Sequence, residues 1–338
     1  MNTYLQFSLG TDIAKLTLAM RLVSIGSSPE VVGKPQTFEN TAQGHQEVFQ
    51  WLHQQGAGPT NTQVVMEATG VYWEAFAFFA YEQGFTVCVV NPAQIKYFAR
   101  TILMRGKTDT MDAELIARFG AVMSPHRWEP PSLEMEHLRL IMRQRDAYVA
   151  MMTEETNRLH ALEGHAHPHK EMIKITKKHV RFLEQQILRM EETFKDTLNN
   201  TPAWKRHIEL LMTIPGIGLI TAGTLLTETN NFAAFVDAHQ LTAYAGLSPA
   251  PFLSGTSVRG KTKISKIGNA RLRRALYMAA LSAIRSDSVF KRQYQRLREQ
   301  GKPCKVGLVA IARKLALVAF ALIQSQQPFN VEHVSVRH

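Results

Sequence analysis

The stretch "YLQFSLGTDIAKLTLAMRLV" (residues 4–23) decides how the first part of this chain folds. "YLQFSL" and "LTLAMRLV" set apolar side chains at alternate positions, the period of half-buried strands. They read as a pair, with Asp12 following the first strand in "LGTDIAK". Outward from this pair, "TFEN" (37–40) adds a short third strand and "AQGHQEVFQWLHQQG" (42–56) a helix stopped by glycine. "QVVME" (63–67) is a strand, "VYWEAFAFFAYEQG" (71–84) a helix, and "FTVCVV" (85–90) a strand closed by Asn91–Pro92. "TDTMDAELIARFG" (108–120) opens on a good cap and continues as a helix. Strands first, then alternating helix and strand, predict a mixed sheet covered by helices.

The remainder is helical. Pro130 and Pro131 punctuate a boundary, and the chain from Ser132 to about Leu198 is polar and without strand patterning. Ile173, Thr176, Val180, Leu183, Ile187, Met190, Phe194 and Thr197 recur by three and four, a heptad seam on the second of two helices. The first, near Leu138 to Leu162, has its stripe interrupted by Arg145 and Glu155, and "GHAHPHK" (164–170) joins the two. A helical hairpin or coiled coil follows, suited to subunit contact. Beyond Thr201, "IELLMTIPGIGLITAGTLLTE" reads as two helices around Pro-Gly-Ile-Gly, the pattern of a helix–hairpin–helix. There Gly216 and Gly218 would let the backbone approach a phosphate at a helix N-terminus; the bland alternative is a plain helical turn.

A chain of 338 residues, 45% apolar and 20% charged, has material for two or three packed domains. Its two cysteines, Cys88 and Cys304, fit no metal spacing and suit a reducing cytosol. The N-terminus lacks the basic start of a signal peptide, and "GLVAIARKLALVAFALI" carries Arg313 and Lys314 at its centre, so it is expected as a buried helix and no membrane role follows. Charge is uneven. From Leu241 onward there are 17 Lys/Arg against 3 Asp/Glu, whereas residues 1–240 hold 22 against 25. That asymmetry is an electrostatic footprint for a polyanion, with nucleic acid the leading partner.

Four acids stand at the ends of consecutive elements in the first region. Asp12 follows a strand, Glu67 ends one, and Asp109 and Asp112 lie three apart on one helix face. Singly, each could cap a helix or favour its dipole. Together they suit Mg²⁺, which takes oxygen ligands and keeps water, and two such ions about 4 Å apart stabilise the entering and leaving oxygens of phosphoryl transfer. Without cations, four clustered carboxylates would repel one another.

"GTDIAK", "MEATG" and "KTDTMDA", then a helical hairpin, "IPGIG", "YAGLSP" and "SGTSVRGKTKISKIGNARLRRALYMAA", resemble in this order the DEDD recombinases of insertion sequences. These are the transposases of the IS-one-ten group, which includes bridge-RNA-guided recombinases and pilin-gene invertases, and the resemblance spans nearly the whole chain. It implies an α/β plus all-α architecture: a RuvC-like domain of RNase H fold (1–128), a central coiled coil (129–200) and a mainly helical C-terminal transposase domain (201–338). Carried over by motif, the metal-binding DEDD acids are Asp12, Glu67, Asp109 and Asp112, and the family's serine is Ser254. The resemblance also implies donor and target DNA, a structured guide RNA, a homo-oligomer (dimer or tetramer), prokaryotic cytoplasm and a site shared between subunits.

Chemistry alone leaves the hydroxyls of Thr256, Ser257 and Ser265 in competition with Ser254. A serine nucleophile has a purpose here: a phosphoserine ester would keep the phosphodiester energy for rejoining. Arg259, Lys261, Lys263 and Lys266 are placed to offset phosphate charge, Gly255 frees the turn, and Arg271, Arg273 and Arg274 are expected on backbone phosphates. Tyr72, Trp73 and Tyr97 are expected in the core, and His165, His167 and His169 in a solvated loop. Two rivals remain at this point. A RuvC-like metal nuclease would use the serine structurally, and a non-catalytic nucleic-acid-binding module would leave the four acids without a reason.

Overall fold

Five strands form one mixed sheet in the order β3-β2-β1-β4-β5. β1 (Phe7–Ile13) pairs antiparallel with β2 (Thr17–Ser24), which pairs antiparallel with β3 (Val31–Glu39). On its other side β1 runs parallel to β4 (Thr62–Glu67), and β4 parallel to β5 (Thr86–Val90). This strand order is that of the RNase H fold. The computed structural model describes residues 5–104, 106, 108–233, 235–250, 253–254, 258–259 and 263–331, with backbone alone at 253–254 and 258–259. The chain divides into two units, Met1–Pro130 and Pro131–His338.

Alternation along the strands sorts the first unit into layers. Leu9, Val64 and Met66 point to one face, where Val48 and Leu52 of α1 (Ala42–Gln54) and Phe76 and Ala80 of α2 (Glu74–Glu82) cover them. Val65, Cys88 and Val90 point to the other, under Ile95 of α3 (Pro92–Thr101) and Ile116 and Phe119 of α4 (Asp109–Met123).

Several boundaries differ from expectation. β1 extends through Asp12, so this acid lies within the strand's end and does not follow it. The third strand is nine residues long where "TFEN" suggested four, because Val31 and Val32 pair with Val23 and Leu22 across an irregularity at Met20/Leu22. Gly33 and Pro35 hide that edge strand from a pattern search. α2 starts at Glu74 after a turn, and α3 was not anticipated at all. Asn91 caps α3 by accepting from Ala93 N–H at 2.8 Å, Gln94 returns a bond to Asn91 N–H, and Pro92 occupies the first turn.

In the second unit α5 (Leu133–Glu163) and α6 (Lys170–Asn199) form the expected helical hairpin, and every residue of the heptad seam is buried or half-buried. The polar residues that break the α5 stripe are partnered. Arg145 Nε reaches Glu191 Oε1 at 3.0 Å, and Glu155 pairs with Arg158 at 2.8 Å and His179 at 3.3 Å. The hairpin root joins the following helices in one core: Met135, Leu138 and Met142 of α5 and Phe194 of α6 pack with residues of α7 (Pro202–Met212), α8 (Leu219–Glu228), α10 (Ala270–Ala283) and α12 (Cys304–Ser325). α9 (Ala238–Tyr244) and α11 (Val289–Glu299) complete the helices among the described residues. α12 is long and apolar enough to cross a membrane, yet Leu308, Ile311, Leu315 and Ala319 are buried in this core.

Candidate active site

The register between β1 and α4 is set by two glycines. A Cβ on Gly10 would stand 2.1 Å from Ala113 O and 2.2 Å from Ala117 N, and one on Gly120 would stand 2.4 Å from Ser8 Oγ. Ser8 thus meets the end of α4 and Gly10 its middle, so the helix runs antiparallel to the strand. Its first turn, with Asp109 and Asp112, therefore lies toward the strand end that carries Asp12. Thr108 fixes that first turn, its Oγ1 accepting from Met111 N–H at 3.2 Å.

Glu67 belongs to the same edge. Thr11 pairs with Met66 in the parallel ladder, so Asp12 and Glu67 are the next residues on adjoining strands. Ser8 and Gly10 of β1 and Gln63 and Val65 of β4 face α4, and alternation directs Asp12 and Glu67 to that face too. Asp12, Glu67 and Asp112 are half-buried and Asp109 is exposed. Thr69 Oγ1 donates to Glu67 Oε1 at 2.7 Å, orienting one carboxylate. The donors are hard oxygens of the kind Mg²⁺ takes. Among the described residues, however, no three or more His, Cys, Asp or Glu side chains stand close enough to hold an ion together. The fold places the acids toward one edge of the sheet.

Ser254 lies in the second unit on a two-stage β-arm, where a plain turn within helical surroundings was expected. β6 (Pro249–Ala250) pairs antiparallel with β9 (Lys263–Ile264), and further out β7 (Leu253–Ser254) pairs with β8 (Val258–Arg259). Among the described residues, Ser254 opposite Val258 is the last paired residue of β7. Gly255, Thr256, Ser257 and Lys261 lie outside the described residues, as do the side chains of Ser254 and Arg259. Lys263 and Lys266 are exposed near the base of the arm, whereas Ser265 donates its N–H to Ser248 O at 3.0 Å.

The three arginines of α10 separate by partner. Arg271 Nη1 pairs with Asp146 at 3.0 Å, and Arg273 Nη1 donates to Ala245 O at 3.1 Å and Lys266 O at 3.3 Å, tying the base of the arm. Arg274 is exposed, without a partner among the described residues. Gly216 has a packing reason: with φ +90°, a Cβ there would stand 2.4 Å from Ala279 O of α10. Gly218 caps α8 in open space.

Other expectations are revised. Trp73 packs against the first core and meets Trp128 edge-on at 5.8 Å, but Tyr72 and Tyr97 are exposed rather than buried, because the turn and α3 around them turn those rings outward. His169 caps α6, and the His165 ring accepts the His167 N–H at 3.1 Å in an exposed loop. Sequence reasoning missed Glu228, a buried carboxylate bound by Arg143 Nε at 3.1 Å and Asn269 Nδ2 at 2.8 Å. An acid closing the otherwise uncharged helix "LITAGTLLTE" was its signal.

Known families match both units. The DEDD transposase family of IS110, described as "Transposase", covers residues 9–168, and "Transposase IS116/IS110/IS902 family" covers 208–295. The pilin gene-inverting protein of Moraxella bovis is 31% identical over 323 residues, 95% of this chain and 97% of that relative. The transposase for insertion sequence element IS1328 of Yersinia enterocolitica is 28% identical, covering 58% of this chain and 64% of that protein. Thermus thermophilus RuvC superposes on 36% of this chain and 98% of its own at 18% identity, with a TM-score of 0.27, too low to add to the strand order. With two family regions in sequence and one relative aligned over almost its full length, the chain belongs to the IS110/IS116/IS902 family of DEDD transposases.

Proposed function

We propose that this transposase cuts and rejoins DNA through a phosphoserine ester on Ser254, assisted by Mg²⁺ at Asp12, Glu67, Asp109 and Asp112. The supporting observation is the antiparallel run of α4 against β1, which brings two acids toward the strand ends carrying the other two. Bound there, one or two divalent cations supply charge stabilisation for the phosphoryl oxygens. Ser254 Oγ forms a bond to phosphorus as the bond from phosphorus to a deoxyribose oxygen breaks, and the released hydroxyl leaves with a proton. Attack by a deoxyribose hydroxyl reverses the step, rejoining DNA and restoring the serine. Arg259, Lys261, Lys263, Lys266 and Arg274 offset phosphate charge, and Gly218 offers an open helix N-terminus.

In this reading the functional regions are a RuvC-like domain (1–128), a coiled coil (129–200) and a transposase domain (201–338). The enzyme works in prokaryotic cytoplasm as a dimer or tetramer on donor and target DNA. The hairpin provides the subunit contact, a bridge RNA encoded beside the gene directs it, and acids and serine from different subunits serve one phosphate.

The test uses the full-length protein, Mg²⁺ and a plasmid carrying the gene with its flanking noncoding DNA. A denaturation-resistant protein–DNA adduct mapping to Ser254 is expected, absent in Ser254→Ala and suppressed by EDTA. Cutting by Ser254→Ala at the wild-type rate sinks the phosphoserine, and full recombination after deletion of the noncoding segment sinks the RNA guide.

A further inference from the structure

The mechanism makes no use of the buried carboxylate of Glu228, at the end of α8. It is only 9% exposed, yet both oxygens are occupied. Arg143 of α5 donates Nε to Oε1 at 3.1 Å and Nη2 to Oε2 at 3.4 Å, and Asn269 Nδ2 donates to Oε2 at 2.8 Å. A buried acid is unfavourable unless paired and hydrogen-bonded in this way.

Asn269 is where the serine arm ends and α10 begins. Its Oδ1 caps the helix by accepting from Leu272 N–H at 3.0 Å, and its own N–H donates to Tyr244 O at 2.6 Å, just before the arm departs. One residue thus joins the capped helix and the buried acid through its side-chain amide and the base of the arm through its backbone N–H. The hairpin reaches the same place through Arg143. A second chain runs from Glu191 through Arg145 and Asp146 to Arg271, two residues beyond Asn269.

We infer that Glu228 is a positioning residue for strand exchange: held by Arg143 and holding Asn269, it fixes the root of the serine arm against the helical hairpin. This rests on the assignment of Ser254 as nucleophile. Reaching an in-line phosphate from the end of a two-stage arm demands a fixed root, since about 1 Å of misplacement can lower a rate by about 10²-fold. Polar anchoring suits that task because a bidentate guanidinium fork dictates orientation as well as distance.

Glu228→Gln keeps the shape and removes the charge. Arg143→Lys keeps the charge and removes the fork, and serves if the first variant folds poorly. Amide hydrogen exchange of the full chain without DNA is the first measurement. The expected result is exchange about tenfold faster at 246–250 and 263–269, the factor that loss of one charge-assisted hydrogen bond implies, with α12 unchanged. Unchanged exchange at the arm's root, or equal acceleration in α12, overturns the inference. The second measurement uses the same plasmid: adduct formation should slow by about 10- to 100-fold while affinity for the DNA stays within about twofold of wild type. Weakened DNA binding with an unchanged adduct rate also overturns it. A wild-type protein that forms no adduct removes the serine reading alone, and the exchange data still decide whether Glu228 anchors the arm.

Discussion

Gly10 and Asp12 are two residues apart on one strand and therefore project to the same face of the sheet. The glycine lets α4 lie against the strand, and the aspartate stands toward the end where that helix starts. Gly10→Ala should destabilise the protein by about 1–3 kcal/mol through overpacking, read as a lowered melting temperature, and recombination should fall as α4 is pushed away. An unchanged melting curve would refute this close packing. Glu228 carries a pH signature. Burial pushes its carboxyl up, but the hydrogen bonds and charge of Arg143, the Asn269 amide and the charge of Arg271 outweigh that and hold it below the ordinary 4.5. A depressed carboxylate stabilises the fold above its unfolded value, and the contribution disappears as pH falls through the folded value. The melting-temperature gap between wild type and Glu228→Gln should be full at neutral pH and close as pH drops below 4.5. A gap independent of pH would mean that charge is not what matters.

Among elements, the α5–α6 hairpin shows how a coiled-coil pattern can end inside a globular core. Its seam was readable because three–four spacing is local, but the pattern does not say which end is anchored. Phe194 is fully buried among α5, α6 and α8, and a Cβ on Gly223 of α8 would stand 2.7 Å from its ring. Phe194→Ala should cost about 3–5 kcal/mol, measured by denaturant unfolding, with exchange rising in α5, α6 and α8 together. A loss below about 1 kcal/mol would place the ring outside the packed core. α3 is the opposite case: its Asn-Pro-x-Gln start was a complete local signal that the apolar pattern around it obscured. The serine arm offered only a weak signal, since its strands are two residues each, too short to show an alternating pattern.

For the whole molecule, the concentration of positive charge after Leu241 predicts salt-sensitive DNA binding, and the structure sorts which cations can take part. Arg274→Ala should lower the slope of log affinity against log salt by about 1, whereas Arg273→Ala, which unties Ala245 O and Lys266 O, should lower stability instead. Equal slopes for wild type and Arg274→Ala would remove that residue from the interface. The sequence alone determined the strand-then-helix order, the heptad seam, the placement of four acids at element ends and the charge asymmetry, because periodicity, capping and composition are local properties. Only the tertiary structure decided that α4 runs back along β1, that Gly216 faces α10, and that Glu228 joins Arg143 and Asn269, partners 85 and 41 residues away. Those pairings depend on which faces pack together, and no local period in a chain records that.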